Sequence, residues 1–170
     1  MATAKELLKF CDRAKEMGAL DAKVISPSEV YTAPWVRLKC QYGCGIYGTR
    51  LSCPPYSPTP EQTRSVLDCY RLALLVRGNR SSNIRELVAE LEREIFLAGF
   101  YKALAFGCGP CELCKTCEIE NGCRYPEKAR PSMEAAGIDV FATVRNAGLP
   151  IKVLTSISQR QERYGLALVD

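Results

Sequence analysis

The chain has 170 residues, 47% of them hydrophobic, a formal charge of +4, ten cysteines and no histidine. That is enough apolar material for one core, and no apolar run approaches the roughly 18 residues of a membrane-spanning helix. The missing histidine excludes His–metal ligation, Ser–His and Cys–His nucleophile pairs and the usual near-neutral proton shuttle, so any metal must be held mainly by sulfur.

In chain order, residues 4–17 place Leu7, Cys11, Ala14 and Gly18 at helical intervals and predict an amphipathic helix stopped by Gly18. Charges inside the apolar pattern set this stretch apart from a signal peptide, so the expected compartment is the cytoplasm, where thiols stay reduced. Cys11 lies on the apolar stripe and reads as a small buried hydrophobe. Residues 21–25 and 35–38 read as short strands. The stretch from Lys39 to Pro55 carries Cys40, Cys44 and Cys53 among Gly43, Gly45 and Gly48. Its glycines allow a tight backbone that turns amides toward sulfur, and Pro54-Pro55 forces an extended exit. It reads as a loop folded around a centre.

Thr59-Pro60-Glu61-Gln62 has the form of a helix start with a capping box, for a helix reaching about Asp68. Cys69 stands apart from the other cysteines and reads as core. Residues 70–76 are a strongly apolar strand ended by Gly78-Asn79. Ser82 or Asn83 caps a long helix with Ile84, Leu87, Val88, Leu91, Ile95 and Ala98 on one face, and Gly99 ends it. Residues 102–106 form another apolar strand. Strand–helix–strand of this length predicts parallel neighbours. A ligand loop would then leave the carboxyl end of the second strand, as in open α/β sheets. Beyond it, Pro131-Ser132-Met133-Glu134 begins a helical turn, and Asp139 caps a helix closed by Gly148 and Pro150. Residues 151–154 and 166–169 read as final strands. The expected architecture is one α/β domain over residues 1–170, with a mixed, mainly parallel sheet, flanking helices and two cysteine-rich loops.

The second loop holds half of the cysteines within sixteen residues: Cys108, Cys111, Cys114, Cys117 and Cys123. Cys111, Cys114, Cys117 and Cys123 approximate the ferredoxin run C-x2-C-x2-C-x3-C-P, with a longer last spacing and a late proline at Pro126. Cys123 either closes this set or reaches the other one, and Cys108 offers an alternative register or stands as a free thiol. The first set supplies three thiols. Three leave one iron of a four-iron cluster open to substrate, unless Cys108 or Cys123 closes it. Tyr42, Tyr47 and Tyr56 flank this set, as shields from solvent or as pocket walls.

Zinc is the main competitor, but zinc ribbons separate their C-x2-C pairs by about 15–20 residues, and here the pairs overlap in one run. A disulfide scaffold does not suit this length and spacing, and a lone thioredoxin-type C-x-x-C does not describe a run of cysteines. The positive charge gives little support to a nucleic-acid partner. Two oxidised 4Fe-4S clusters on eight thiolates would add roughly −8 and +4, leaving a holoprotein near neutral. Lys39, Arg50, Lys115, Arg124, Lys128 and Arg130 then offset cluster charge or stay as solvated surface.

The segments Cys44-Gly45-Ile46-Tyr47-Gly48, Cys53-Pro54-Pro55, Cys111-x2-Cys114-x2-Cys117, Cys123-Arg124-Tyr125-Pro126-Glu127-Lys128-Ala129 and Pro131 through Val140 resemble a family of predicted metal-binding proteins, domain of unknown function 2284. The resemblance spans roughly residues 40–148. It implies a cysteine-bound metal of the iron–sulfur kind in anaerobic bacteria and archaea, and it implies no particular reaction. The combined expectation is a cytoplasmic protein with two 4Fe-4S clusters, serving electron transfer with a redox partner protein, with no nucleic acid and no membrane. One alternative is an enzyme with an open cluster at Cys40, Cys44 and Cys53, where Lys39 or Arg50 places an anion. The other is a structural zinc module.

Overall fold

The computed structural model describes residues 3–170. Helix α1 (Ala4–Glu16) forms where the spacing predicts, with Thr3 and Glu6 closing a capping box. The remaining elements are β1 (Asp21–Ile25), a 3-10 turn at Pro27–Glu29, α2 (Pro34–Gly43), α3 (Pro60–Leu67), β2 (Ala73–Gly78), α4 (Ile84–Leu97), β3 (Leu104–Phe106), α5 (Val140–Asn146) and β4 (Arg163–Leu168). Thr59 and Gln62 make the expected capping box on α3, and Asp139 accepts the Ala142 amide at the start of α5. Among the described residues no helix is long and apolar enough to cross a membrane.

The sheet has the order β1-β2-β4-β3, and every pairing in it is antiparallel. The expected mainly parallel sheet is therefore corrected, although the α/β class holds. β2 and β3 do point the same way, because both oppose β4, but β4 lies between them. The physical reason is burial. β2 and β4 are apolar on both faces and so occupy the centre, while β1, with an exposed Lys23, takes one edge and the three-residue β3 the other. The C-terminal strand outcompetes β3 for the place beside β2.

Alternation along the strands builds two cores. Leu74, Val76, Ala105 and Ala167 face α1 and α4, meeting Leu7, Phe10, Cys11, Val88 and Leu91. Leu75, Phe106, Leu166 and Leu168 face the other way, onto Leu67, Met133, Ile138 and Val144. Gly165 permits the first packing, since a Cβ there would lie 2.7 Å from Val88 and 2.9 Å from Ile84. Cys11 is buried, as its stripe position requires.

Three further expectations fail locally. Residues 35–38 lie in α2, not in a strand: Pro34 takes the first helical turn, and only Val36 of this helix is buried. Residues 151–154 form no strand, and Val153 and Leu154 are exposed. Their apolar side chains line a pocket beside the sheet. Cys69 is exposed and donates to the Ser65 carbonyl at the end of α3. It follows a helix end, where the chain has not yet entered the core.

The segment that positions the cysteines is the turn at 131–138. On one side Gly107 donates to the Pro131 carbonyl at 2.8 Å, and Met133 donates back to the Gly107 carbonyl at 3.0 Å. On the other side Ala33 donates to the Gly137 carbonyl and Asp139 to the Tyr31 carbonyl. The hydroxyls of Ser57 and Thr63 donate to the Ala135 and Ala136 carbonyls at 2.6 Å. Gly137 has φ +77°, and a Cβ there would stand 2.5 Å from Pro60. The turn thus joins the entrance of α2, the start of α3 and the exit of β3 in one tightly fitted knot.

Candidate metal centre

Cys40 and Cys44 are not on a loop, as expected, but at the end of α2. Cys40 lies in its last turn and Cys44 is its C-cap, with the Cys44 amide donating to the Cys40 carbonyl. A spacing of four puts both on one face of a helix. The chain then makes successive tight turns, with Tyr47 donating to the Cys44 carbonyl and Cys53 to the Arg50 carbonyl, and reaches a cis peptide bond at Pro54-Pro55. Arg37, also on α2, donates to the carbonyls of Ser57 and Pro58 at 3.1 and 2.8 Å. This locks the returning chain against the helix.

The result is a cavity of about 170 Å³ lined by Cys40, Cys44 and Cys53 together with Ile46, Tyr47 and Glu134. Cys53 is buried, Cys40 half-buried and Cys44 exposed. Burial pushes the Cys53 thiol up, and nearby charge on Cys44, Cys40 and Cys111 pushes it the same way. Cys40 is raised by burial first, then by Cys44 and Glu134. Protonated thiols must lose their protons to bind metal, so loading this set releases acid. Of the three tyrosines, only Tyr47 lines the cavity; Tyr42 is 81% exposed and Tyr56 48%, which leaves Tyr42 no shielding role.

The second loop leaves the carboxyl end of β3 as expected and has no regular structure from Gly107 to Cys123. Cys111, Cys114 and Cys117 are half-buried and Cys123 is exposed. Arginines hold the loop through its carbonyls. Arg85, from the first turn of α4, donates to the Pro110 carbonyl and pairs with Glu112. Arg50 donates to the Cys114 carbonyl at 2.9 Å and reaches Lys115 as well. Beside it, the Leu51 amide donates to Cys117 Sγ at 3.5 Å. Arg124 pairs with Glu118 inside the loop, and Arg130 pairs with Glu92 at 2.6 Å where the chain leaves it. Arg50 and Arg130 are therefore structural partners of defined groups, while Arg124 forms an ion pair at the surface.

Cys108 sits apart from the run. It packs against the α1–α4 core, and burial pushes its thiol up to about 11. It lines a larger pocket of about 390 Å³ with Trp35, Lys39, Cys40, Cys44 and Glu134, but it does not reach the small cavity where Cys53 lies. Among the described residues, no three His, Cys, Asp or Glu side chains are arranged to hold a metal ion directly. The structure brings Cys40, Cys44 and Cys53 to one cavity with Cys111 in electrostatic reach of Cys53, while Cys114, Cys117 and Cys123 do not line that cavity. The donor chemistry fits a thiophilic centre: thiols, one carboxylate and no imidazole.

Glu134 is the site residue that sequence reasoning missed. It lies in the Pro131-Ser132-Met133-Glu134 stretch, which reads simply as a helix start. Its Oε2 is shut off from solvent and has no hydrogen-bond partner. Burial holds its carboxyl above the usual range, with Ser132 and its own amide acting in the opposite sense. Nothing local distinguishes this glutamate from a capping residue; only the clamped turn places it beside Cys40, Cys44 and Cys53, which are distant in sequence.

No curated protein and no solved structure matches the chain. One family model, described as predicted metal-binding protein, matches residues 23–169 and so takes in β1 from Lys23 onward, the other three strands, both cysteine sets and the turn that carries Glu134. The chain belongs to this predicted metal-binding protein family, DUF2284.

Proposed function

We propose that the protein holds two 4Fe-4S clusters and passes electrons to or from a redox partner protein in the cytoplasm. The observation that carries this reading is the meeting of two cysteine sets. One lines a half-open cavity, and the other is strung along a loop that is bonded to the same cysteine segment by Arg50 and Leu51. Cys40, Cys44 and Cys53 serve one centre, and Cys111, Cys114, Cys117 and Cys123 the other. When bound, such clusters supply one-electron redox chemistry, at potentials set by hydrogen bonds to sulfur and by solvent exposure. The Leu51 amide gives Cys117 such a bond, and the exposed loop gives a partner protein access.

A second reading draws on the larger pocket. Cys40, Cys44 and Glu134 line both the cysteine cavity and the 390 Å³ pocket, whose other walls include Trp35, Phe141, Ile151 and Lys152. A small, largely apolar molecule would fit there against the first centre, which would make the protein an enzyme.

Anoxic purification with iron, sulfide and zinc analysis tests the metal. Iron and sulfide in comparable amounts are expected, and stoichiometric zinc with negligible sulfide overturns the cluster reading in favour of a structural zinc module. Cys40→Ser and Cys114→Ser should each remove about half of the iron and leave the other centre's spectrum in place. Loss of all iron from either variant would mean that the two sets share ligands.

A further inference from the structure

The first cysteine set offers three thiols, and a four-iron centre takes four ligands. We propose that the Glu134 carboxylate is the fourth protein ligand of the centre held by Cys40, Cys44 and Cys53. The proposal rests on the reading of that set as a metal site and adds an oxygen donor that cysteine counting does not reveal.

Position is the first argument. Glu134 lines the same small cavity as the three cysteines, and no other carboxylate does. The second is the state of its oxygen. Oε2 is buried without a hydrogen-bond partner, an arrangement that is costly for a carboxylate unless a cation or donor meets it. Third, the residue is held firmly. The turn is bonded to Gly107 on one side and to residues 31–33 on the other, and Ser57 and Thr63 pin the carbonyls that follow Glu134. A pre-set backbone is what a ligand residue requires of its surroundings.

The thiol alternatives fit less well. Cys108 lines the larger pocket and another beside Arg85 but not the small cavity, and it packs against the α1–α4 core. Cys111 belongs by spacing to the run with Cys114 and Cys117. A carboxylate ligand makes one metal position chemically distinct from the thiolate-bound ones. Because Glu134 also bounds the 390 Å³ pocket, this distinct position faces the place where a small molecule would enter.

The test uses full-length wild type, Glu134→Gln and Glu134→Cys, each reconstituted anoxically with sulfide and iron-57 and recorded by Mössbauer spectroscopy. Circular dichroism verifies folding. Wild type should show a minority iron subsite with oxygen-type ligation. Glu134→Cys should keep the iron and sulfide content and lose that subsite, and Glu134→Gln should lose it or shed iron from the first centre. The same spectrum from all three fully loaded proteins overturns the proposal. Cys40→Ser separates this outcome from failure of the underlying reading: unchanged iron content in that variant means that the set binds no metal. Zinc in place of iron overturns the proposal, because among the described residues no three His, Cys, Asp or Glu side chains are arranged to hold a single ion.

Discussion

The two cysteine regions are built on opposite plans. Cys40 and Cys44 sit on the end of a helix, Cys53 precedes a chain bonded back onto that helix, and a pinned turn forms another wall of the cavity. Cys111 to Cys123 hang on a loop without regular structure, held from outside by Arg85, Arg50 and Arg130. The first region is braced by regular structure and the second by side chains from outside it. A helix end and a pinned turn fix the position of the first set, whereas a loop held through backbone carbonyls is free to shift when those bonds are lost. Similar cysteine counts thus hide different physical tasks.

Removing the anchor at the loop's exit should break this comparison most severely. Glu92 is buried, receives the Ala105 amide at 2.7 Å and binds Arg130 with both oxygens. Arg130 in turn holds the carbonyls of Pro126 and Ala129. Glu92→Ala leaves a largely buried guanidinium without its partner and should cost about 3–5 kcal/mol. Urea denaturation should show the whole fold weakened, because the pair joins α4 and β3 to the loop. A loss under about 1 kcal/mol, the range of an exposed pair, would mean that this anchor is not buried in energetic terms.

A smaller effect is expected at the junction of the two regions. Arg50→Ala removes the bonds to the Cys114 and Lys115 carbonyls, each worth about 1–3 kcal/mol locally. The loop should then exchange its amide hydrogens faster and be cut sooner by protease, while the sheet keeps its protection. Arg50→Lys should restore little, since a single ammonium cannot span both carbonyls in the way that a guanidinium fork does. Equal acceleration in loop and sheet would mean that the regions are not mechanically separate.

The smallest effect concerns Tyr164, which lies under the larger pocket and donates its hydroxyl to the Pro150 carbonyl. Burial pushes its phenol up from 10.0 to about 12. Between those values the folded protein keeps a proton that the unfolded chain has lost. The stability this group contributes is therefore complete below pH 10 and is lost as pH rises toward 12. Urea midpoints of wild type should fall more steeply than those of Tyr164→Phe over this alkaline window. Parallel curves would show that the phenol is not buried in solution.

Much of the fold could be read from local chemistry. Thr59-Pro60-Glu61-Gln62 carries its own capping box, Asp139 its own cap, and the stripe from Ile84 to Ile95 its own buried face. Pairing was not legible in the same way. A strand's neighbour depends on which strands need burial on both faces, and the C-terminal strand won the place between β2 and β3. The helix at Cys40 was hidden because its short apolar run, Trp35 to Leu38, fits a strand as well as a helix end; the spacing of four between Cys40 and Cys44 was the available clue.

For the site, the sequence by itself determined the donor chemistry: ten thiols, no imidazole and two separate sets, because ligand type and spacing are properties of the residues. Only the tertiary structure decided which groups face one another. It put Cys40, Cys44 and Cys53 around one cavity, kept Cys108 out of that cavity, and set Glu134 among the three thiols with an unpaired oxygen. The reason is that a carboxylate's partner is chosen by packing across the chain, through a turn pinned to Gly107 and Ala33, and no local pattern encodes that contact.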